Sequence, residues 1–530
     1  MIYLIPNWKQ ENFIMNSDRI LEIAELYHDG NVAYQLILTN YMPFLRYKLE
    51  NRTVNYWQVF DKLQNIALIE GHPMTIDDLV FPNSAEFIYT PFGVSVLNHQ
   101  ELFAEIILNE FGCLSKVKYY QKNGYYTDYY DDRGFLSSRF YYQHNELVKR
   151  EFFNEYQELA LTELLGNHSK VIIEKGGIQS LSKSSYPNLN AVIAELLDYK
   201  LAADDRETNV VTVIDRNVLN ITRQLQNVFP LVRIIPDDFK LTNYQQDELI
   251  EIIDSSKAVI TDTSRMKNDL EEIQKNHLEL AQSKIHLIPM YRAELNLGIS
   301  NFVDEMVIYW RIEQLTQFIY QFNDLLIDRL INDDSYRLIL SLKTFQDKEI
   351  LQDRIRNLID SYYDVDSQSA DYKKIEKFIQ DKKNKKLLKT DEDAIEPLRS
   401  GEKWSDFVTA VHLYHRIEYR VNSELYQIKD DLRISRLYID VNVKQDLQLQ
   451  LVALTTGIPQ ILSNPSDYII NPTNGIVLNA ALTLEETVEY FLNNLNHWNL
   501  ALVKNIELLE AFESDKIIEK WRRVFYEEAD

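Results

Sequence analysis

The sequence predicts an α/β protein of two doubly wound, Rossmann-like units, with an antiparallel β-rich domain inserted into the first. Three observations predict this class. Strand and helix patterns alternate in residues 1–75 and resume near Pro187, aromatic and β-branched runs fill residues 78–175, and a second alternating series begins near residue 304. Alternation of strands with helices implies a parallel sheet that is covered on both faces.

The first unit opens with an apolar run at 2–5, closed by Pro6. A helix is predicted over 17–27 and a strand over 33–38. After Pro187, which we expect in the first turn of a helix, apolar residues recur at helical spacing: Leu189, Val192, Ile193, Leu196, Leu197 and Leu201. Further strands are predicted at 210–214, 232–235, 258–261 and 285–289.

The inserted segment has the pattern of antiparallel strands. Runs such as FIYTPFGVSVL and KVKYYQKNGYYTDYYDDRGFLSSRFYY combine aromatic and β-branched residues with turn signals. Asn123-Gly124 separates two of these runs and predicts a hairpin turn. We therefore expect a β-rich insertion over 76–175.

The second unit repeats the alternation. Strands are predicted at 306–310, 338–342, 437–440 and 458–462, and helices at 347–363 and 444–455. Thr483 and Glu486 form a capping-box pattern for a helix that runs to about residue 510. The charge-rich stretch 364–403, with eight lysines between Lys373 and Lys389, interrupts the series and predicts a solvated helical or loop insertion, with a basic docking surface as the alternative.

These elements predict four regions. They are an N-terminal Rossmann-like domain (1–75 and 176–300), a β-rich insertion domain (76–175), a C-terminal Rossmann-like domain (301–514) and a C-terminal helix (515–530). Two doubly wound units in tandem indicate the GT-B architecture of nucleotide-sugar glycosyltransferases. Ligands of such sheets bind at the carboxyl ends of the strands, here expected in a cleft between the domains.

Composition narrows the class of protein. The chain has 56 basic and 81 acidic residues, a net charge of −25, which disfavours nonspecific binding to nucleic acid or to an anionic membrane surface. Its one cysteine, Cys113, allows neither an internal disulfide nor a cysteine-based metal centre. No apolar run approaches the ~18 residues of a spanning helix, and the N-terminus lacks the pattern of a secretion signal. We expect a cytoplasmic protein.

The phosphate-binding turns of an active GT-B enzyme are missing from the sequence. A glycine-rich turn after an early strand usually lets the backbone approach a diphosphate. Here the first strand leads into Asn7-Trp8-Lys9, and the first glycine of the chain is Gly30. The strand at 306–310 leads into Arg311-Ile312-Glu313. Arg311 is a candidate phosphate ligand, with a surface ion pair as the alternative.

The segment DVNVKQDLQLQLVALTTGIPQI resembles the nucleotide-sugar segment of retaining GT-B enzymes. Gly457-Ile458-Pro459 matches the turn that ends it. Asn474-Gly475 resembles the turn that follows in those enzymes, with a plain turn as the alternative. The resemblance places Val452 where those enzymes have a glutamate and Lys444 where they have the partner acid. Valine cannot accept hydrogen bonds from ribose hydroxyls, and lysine reverses the charge. We therefore predict a degenerate nucleotide-sugar cleft with these members: Arg311, Asp440, Lys444, Val452, Gly457, Asn474 and Gly475.

Other catalytic patterns are absent from the sequence, including G-x-x-x-x-G-K-[ST], G-x-S-x-G and H-E-x-x-H. His412 and His415 are spaced to share one helix face, but no third metal ligand stands near them. Cys113 lies among apolar residues and is predicted to be a small core residue. Asp131 and Asp132 precede Arg133, which predicts a turn with a local ion pair. We predict no catalytic residue, no metal site and no cofactor.

Seven segments, in this order, carry a resemblance to a known family: MIYLIPNW, YMPFLRYKLE, YWQVFDKLQNI, FIYTPFGVSV, YYDDRGFLSS, RLYIDVNVKQDLQLQLVALTTGIPQI and LNHWNLAL. The chain resembles the first of the three accessory Sec system proteins of Gram-positive bacteria. The most specific segments are 131–138 and 440–461. The resemblance spans nearly the whole chain.

The resemblance implies a GT-B-like fold without transferase activity. It implies partners: the other two accessory Sec proteins, the accessory SecA motor and serine-rich repeat glycoprotein adhesins, which this machinery exports. The lack of a signal pattern and of a spanning run, together with the net charge of −25, predicts a cytosolic adaptor that is recruited to the inner face of the membrane through partners. Two alternatives stay open, an active glycosyltransferase that modifies serine-rich repeats, and a chaperone-like subunit of a transferase complex.

Overall fold

A computed structural model of the chain describes residues 1–9, 18–49, 52–91, 93–166, 168–203, 208–276, 284–384, 386, 389–478 and 484–526. The chain divides into two compact units, one made of Met1–Met290 with Ile518–Asp530 and the other of Tyr291–Ile517. The domain boundaries predicted from the sequence stay predictions. No helix among the described residues is long and apolar enough to cross a bilayer.

The described residues of the first unit form two sheets. Its strands are β1 Ile2–Ile5, β2 Tyr34–Leu38, β3 Tyr56–Gln58, β4 Ala85–Thr90, β5 Gly93–Asn98, β6 Glu101–Leu108, β7 Leu114–Gln121, β8 Gly124–Tyr130, β9 Leu136–Gln143, β10 Glu146–Phe153, β11 Leu159–Leu164, β12 Lys170–Ile173, β13 Ser185–Tyr186, β14 Asn209–Val213, β15 Leu231–Ile234, β16 Ala258–Thr261 and β17 Ile285–Leu287. The strands outside the insertion form a parallel sheet in the order β17-β16-β15-β14-β1-β2-β3.

Helices cover both faces of this parallel sheet, as the alternation predicts. They are α1 Arg19–Asp29, α2 Leu45–Leu49, α3 Val59–Leu63, α4 Leu189–Ala202, α5 Arg216–Thr222, α6 Gln246–Asp254 and α7 Ser264–Lys275. The apolar stripe that predicts α4 is mostly buried there. Pro187 lies before this helix and not in its first turn, because Asn188 is the N-cap and accepts a hydrogen bond from the Ala191 N–H at 3.0 Å.

The insertion is an antiparallel sheet in which strands β4 to β13 follow one another in chain order. The hairpin predicted at Asn123-Gly124 is confirmed, but its turn lies one residue earlier, because Gly124 pairs with Gln121 across the connection. The prediction for Cys113 is wrong. This residue follows the turn between β6 and β7, where its thiol is half-exposed and not part of a core.

The second unit is a parallel sheet with helices on both faces. Its strands are β18 Met306–Ile312, β19 Tyr336–Leu342, β20 Ile417–Val421, β21 Leu437–Asp440, β22 Gln460–Leu462 and β23 Gly475–Val477. The helices from residue 291 onward are α8 Gln317–Asn332, α9 Phe345–Tyr363, α10 Ala370–Lys383, α11 Lys389–Arg399, α12 Trp404–His415, α13 Leu425–Ile434, α14 Leu447–Thr456, α15 Leu484–Leu492, α16 Leu495–Leu509 and α17 Ser514–Tyr526.

Two sequence predictions for this unit change in the structure. The single helix expected to reach residue 510 is divided at Asn494, whose side chain accepts from the Asn496 N–H at 3.1 Å and so caps α16. Thr483, the proposed cap, lies outside the described residues. The charge-rich stretch is helical as predicted but solvated on one side only, because Tyr372, Ile375 and Phe378 are buried in the main core of the unit.

Candidate functional site

The carboxyl ends of β18 and β21 meet where the second sheet reverses its strand order. The order β20-β19-β18-β21-β22-β23 places the first strand of the unit, β18, between β19 and β21. Such a switch point opens the crevice in which doubly wound sheets bind ligands. The register pairs Trp310 with Ile439, so that Arg311 and Asp440 are neighbours at this edge. Two predicted site residues therefore lie together where a ligand is expected.

Carboxylates surround the Arg311 guanidinium. Its Nη1 lies 3.4 Å from both carboxylate oxygens of Asp440, and its Nη2 lies 3.0 Å from Oε2 of Glu313. Its Nε lies 3.8 Å from Oδ2 of Asp446, and Nη1 also donates to the backbone carbonyl of Lys444. The ion-pair alternative is confirmed, but the pair is largely buried and not at the surface, since 16% of the Arg311 side chain is exposed.

The Asp440 carboxylate is enclosed and hydrogen-bonded. None of its side-chain surface is exposed. It accepts from Nδ2 of Asn442 at 2.7 Å, from the Asp446 N–H at 3.1 Å and from the Tyr438 hydroxyl at 3.2 Å. Burial raises the pKa of Asp440, and the charge of Arg311 opposes that rise. Burial also acts to lower the pKa of Arg311, but Asp440 and its neighbours raise it overall.

Lys444 and Val452, the predicted replacements of ligand-binding acids, have different surroundings. Lys444 is exposed in the segment between β21 and α14. Val452 is on α14, 8% exposed, within an apolar cluster that includes Tyr309 and Trp498. A carboxylate at position 452 would be surrounded by apolar side chains, whereas one at position 444 would be solvated.

Asn474 and Gly475 lie at the other end of the strands, away from Arg311 and Asp440. Gly475 begins β23 and pairs with Gln460, the first residue of β22, so both are at the amino ends of their strands. The Asn474 side chain is fully buried and donates to the Tyr468 carbonyl at 3.0 Å and to the Asn505 amide oxygen at 2.7 Å. These bonds tie the turn before β23 to α16.

Gly457 is the C-cap of α14. It lies about 15 Å along the helix axis from Leu447, at a rise of ~1.5 Å per residue. Its backbone is left-handed, with φ +81°, as at many helix C-termini. The structure thus brings Arg311, Asp440 and the Lys444 backbone together and places Gly457, Asn474 and Gly475 elsewhere. Membership of these residues in a degenerate nucleotide-sugar cleft stays a prediction.

Sequence reasoning missed three residues that complete the network around Arg311: Glu313, Asn442 and Asp446. Asn442 donates through Nδ2 to the Arg311 carbonyl at 2.9 Å and accepts from the Glu313 N–H at 2.9 Å. The sequence does carry a signal for these residues. Polar residues that closely follow the predicted strands at 306–310 and 437–440 are expected to meet, because the carboxyl ends of parallel strands lie together at one end of the sheet.

The first unit has a similar ion pair at its own switch point. Its strand order places β1 beside β14. Nζ of Lys9, just beyond β1, lies 3.4 Å from Oδ2 of Asp215, just beyond β14. Trp8 is buried at the position where a glycine-rich turn would bring backbone amides to a diphosphate. At both switch points a basic side chain is paired with a carboxylate of the same unit.

The remaining candidates are structural. Arg133 donates through Nε to Asp131 at 2.6 Å and through Nη2 to Asp61 at 2.8 Å, which confirms the predicted turn with its ion pair. His412 and His415 both lie in the last turn of α12. In the part of the chain that the structure describes, no group of His, Cys, Asp and Glu is arranged to hold a metal.

Two doubly wound units with an inserted antiparallel sheet define the class of GT-B glycosyltransferase-like proteins. The pneumococcal O-GlcNAc transferase GtfA, solved in complex with UDP and GlcNAc, shares this fold at a TM-score of 0.65 and 13% identity, with 99% of each chain covered. The similarity concerns the fold alone, since the identity is low.

The chain belongs to the family of the first accessory Sec system protein, accessory secretory protein 1, whose family model matches residues 3–529. Relatives of that description occur in Streptococcus gordonii (25% identical, covering 99% of this chain and 96% of the relative) and Staphylococcus aureus (25%, covering 94% and 91%).

The chain also superposes on a chain of the glycosylation-associated Gap123 complex of Streptococcus agalactiae (TM-score 0.75, 19% identity, 99% and 100% covered). A chain of accessory secretory proteins 1, 2 and 3 of Streptococcus pneumoniae gives a TM-score of 0.71 at 18% identity, with 99% of each covered. The chain is thus an accessory Sec system protein of bacterial secretion.

Proposed function

We propose that this chain is a non-catalytic component of the accessory Sec export system. It acts in a complex with the two other accessory proteins and with the accessory SecA motor, and serves the export of serine-rich repeat glycoprotein adhesins. It is cytoplasmic and reaches the inner face of the membrane through its partners. Membership in the accessory Sec family supports the export role, and the two solved complexes of related proteins support the accessory partners.

The observation that supports a non-catalytic role is the ion-pair network at the switch point of the second unit. Arg311, the basic residue at the end of β18, is paired with Asp440, Glu313 and Asp446. Segment 306–316 contains no glycine. A diphosphate would have to displace carboxylates from Arg311, among them the unexposed Asp440, and would lack the glycine-rich turn that usually supplies backbone amides.

Calorimetry with a panel of UDP- and GDP-sugars, followed by a donor hydrolysis assay, tests this role. The pneumococcal O-GlcNAc transferase serves as the positive control. We expect neither binding at millimolar donor nor turnover. Donor binding with turnover would overturn the proposal and favour an active glycosyltransferase, to which the fold is related.

Complex formation is tested by co-expression of the chain with the two other accessory proteins and the accessory motor. We expect co-purification and loss of adhesin export when the chain is deleted. In cell fractionation, membrane attachment should require the partner proteins. Co-purification with a transferase and not with the motor would instead favour a subunit of a transferase complex.

A further inference from the structure

One of the two outermost strands of the inserted sheet, β4, presents exposed apolar side chains at its edge. It ends the strand order of that sheet, and among the described residues only β5 pairs with it. Phe87, Ile88 and Tyr89 are 40%, 48% and 71% exposed. An edge strand carries a row of hydrogen-bonding groups that invites a further strand, and proteins usually protect it with lysine, proline or a bulge. Residues 85–90 contain no lysine or proline, and their register with β5 is regular.

The pairing of β4 with β5 defines which backbone groups face outward. Thr90 pairs with Gly93 across a two-residue connection, which makes this a hydrogen-bonded pair. Because such pairs alternate along an antiparallel ladder, Ile88 also bonds to β5, while the N–H and C=O groups of Phe87 and Tyr89 point away from it. These two residues present the donors and acceptors that an added strand requires.

Side chains next to this edge form an aromatic surface. Phe87 packs against Phe81 with ring centroids 5.4 Å apart, and Phe81 also contacts Phe103 and Tyr119. Phe87 and Tyr89 lie on the same face of the sheet, because alternate residues of a strand do. Every second side chain of an added strand would therefore reach aromatic rings.

The charged side chains of the chain segment that contains β4 are of one sign, acidic. Between Lys62 and Lys116 the sequence has seven acidic residues and neither lysine nor arginine. Asp77, Asp78, Glu86 and Glu101 are exposed in this region. A second copy of the chain would place acidic residues against acidic residues, which is unfavourable across an interface. The complementary occupant is a basic segment of another protein.

We propose that the outer edge of β4 binds an extended, basic segment of a partner protein as an additional strand of the inserted sheet. Backbone bonds to Phe87 and Tyr89 supply affinity, alternate apolar side chains contact the Phe81–Phe87 surface, and lysine or arginine side chains meet the acidic surroundings. This inference does not rest on the proposed export role, because it concerns a surface remote in sequence from the switch points.

Three blocked synthetic peptides test the proposal on the full chain. The first repeats Lys-Val-Thr-Val, the second has Glu in place of Lys, and the third has Pro in place of Thr so that it cannot form a strand. We expect the first peptide alone to bind in fluorescence anisotropy at low salt. We also expect it to slow amide exchange of Phe87 and Tyr89 at least tenfold. Equal binding of the second or third peptide, or no binding of the first, would overturn the proposal.

A matched pair of variants separates the backbone from the side chain. Tyr89→Pro removes an outward N–H without removing a bond to β5, whereas Tyr89→Val keeps that N–H. We expect Tyr89→Pro to weaken binding of the first peptide at least tenfold and Tyr89→Val less than threefold. If Tyr89→Pro disturbs the sheet, seen as faster exchange of β5 amides, Glu86→Lys with Glu101→Lys provides the alternative and should weaken binding at least threefold. Unchanged binding in these variants contradicts the proposal, as does dimerisation of the wild type in sedimentation velocity that Tyr89→Pro abolishes.

Discussion

Arg311 and Asp440 face each other at the carboxyl ends of adjacent strands, with Nη1 3.4 Å from both oxygens of a carboxylate that has no exposed surface. This pair fills the position at which a doubly wound sheet receives a ligand. A ligand at this switch point would have to compete with an ion pair that the fold already contains.

Replacing Asp440 by Asn should lower the free energy of unfolding by about 1–3 kcal/mol. Loss of one partner of a buried pair is usually worth about 3–5 kcal/mol, but Arg311 keeps Glu313 and Asp446. Urea unfolding measures the change. The control Glu313→Gln removes a partner that is 26% exposed and should cost less than about 1 kcal/mol. Equal losses of unfolding free energy in the two variants would show that the burial of Asp440 does not strengthen its ion pair with Arg311.

Restoring the two acids, Val452→Glu with Lys444→Glu, should leave adhesin export intact and create no transferase activity. The glycine-rich phosphate turns would still be missing from the sequence. The double variant should lose about 2–4 kcal/mol of stability, because a charged group at position 452 lies in an apolar cluster. Lys444→Glu alone should cost less than about 1 kcal/mol, since residue 444 is exposed. Thermal melting and an export assay provide the measurements. Loss of export with unchanged melting would show that the cleft itself is functional.

Asp132 should make stability depend on pH. Burial and then the neighbouring Asp131 raise its pKa to about 7, although Arg46, 3.3 Å away, opposes the rise. A carboxyl whose pKa is higher in the folded state than in the unfolded state stabilises the fold at low pH and loses that contribution as the pH rises. The free energy of unfolding of the wild type minus that of Asp132→Asn should therefore fall by about 2–4 kcal/mol between pH 4 and pH 8. A flat difference across this range in urea titrations would contradict the assignment.

Gly457→Ala should destabilise the second unit more than Gly112→Ala destabilises the first. Both glycines have left-handed backbones, with φ +81° and +75°. A Cβ at 457 would lie 2.3 Å from Cδ1 of Leu502, whereas a Cβ at 112 would have no described heavy atom beyond its chain neighbours within 4 Å. We expect about 1 kcal/mol at 112 from the backbone alone and about 2–3 kcal/mol at 457. Similar melting temperatures of the two variants would show that Leu502 moves aside at no cost.

The fold class could be predicted from the sequence because its signals are local. Alternating apolar runs and helical stripes, such as the one that becomes α4, depend on the periodicity of single elements. The predicted strand at 437–440 matches β21, since a short buried strand between polar segments has few alternatives. The position of a turn is predicted less accurately than the strands beside it. The hairpin turn expected at Asn123-Gly124 lies one residue earlier, because two turns that differ by one residue have similar local preferences.

The candidate site was predicted only in part. The sequence predicts Arg311 and Asp440 as members, but the prediction omits Glu313, Asn442 and Asp446, although these residues closely follow the same two predicted strands. The strand order of the folded sheet, in which β18 lies beside β21, brings them to one crevice. A local turn pattern predicts that Asn474 belongs to the same site as Arg311 and Asp440. However, Asn474 precedes β23, at the amino ends of the strands, whereas Arg311 and Asp440 lie at the carboxyl ends. The apolar neighbours of Cys113 in the sequence predict a core residue, but the turn after β6 leaves it half-exposed.

The sequence by itself determined the α/β class, the inserted antiparallel region, the missing glycine-rich turns and the absence of acids at positions 444 and 452, since these depend on residue type and spacing. Only the tertiary structure decided that Arg311 is enclosed by carboxylates, that Asn474 lies at the far edge, and that β4 ends its sheet with an exposed apolar edge. The physical reason is that ion pairing, burial and strand order depend on which distant segments become neighbours, and that information is absent from local periodicity.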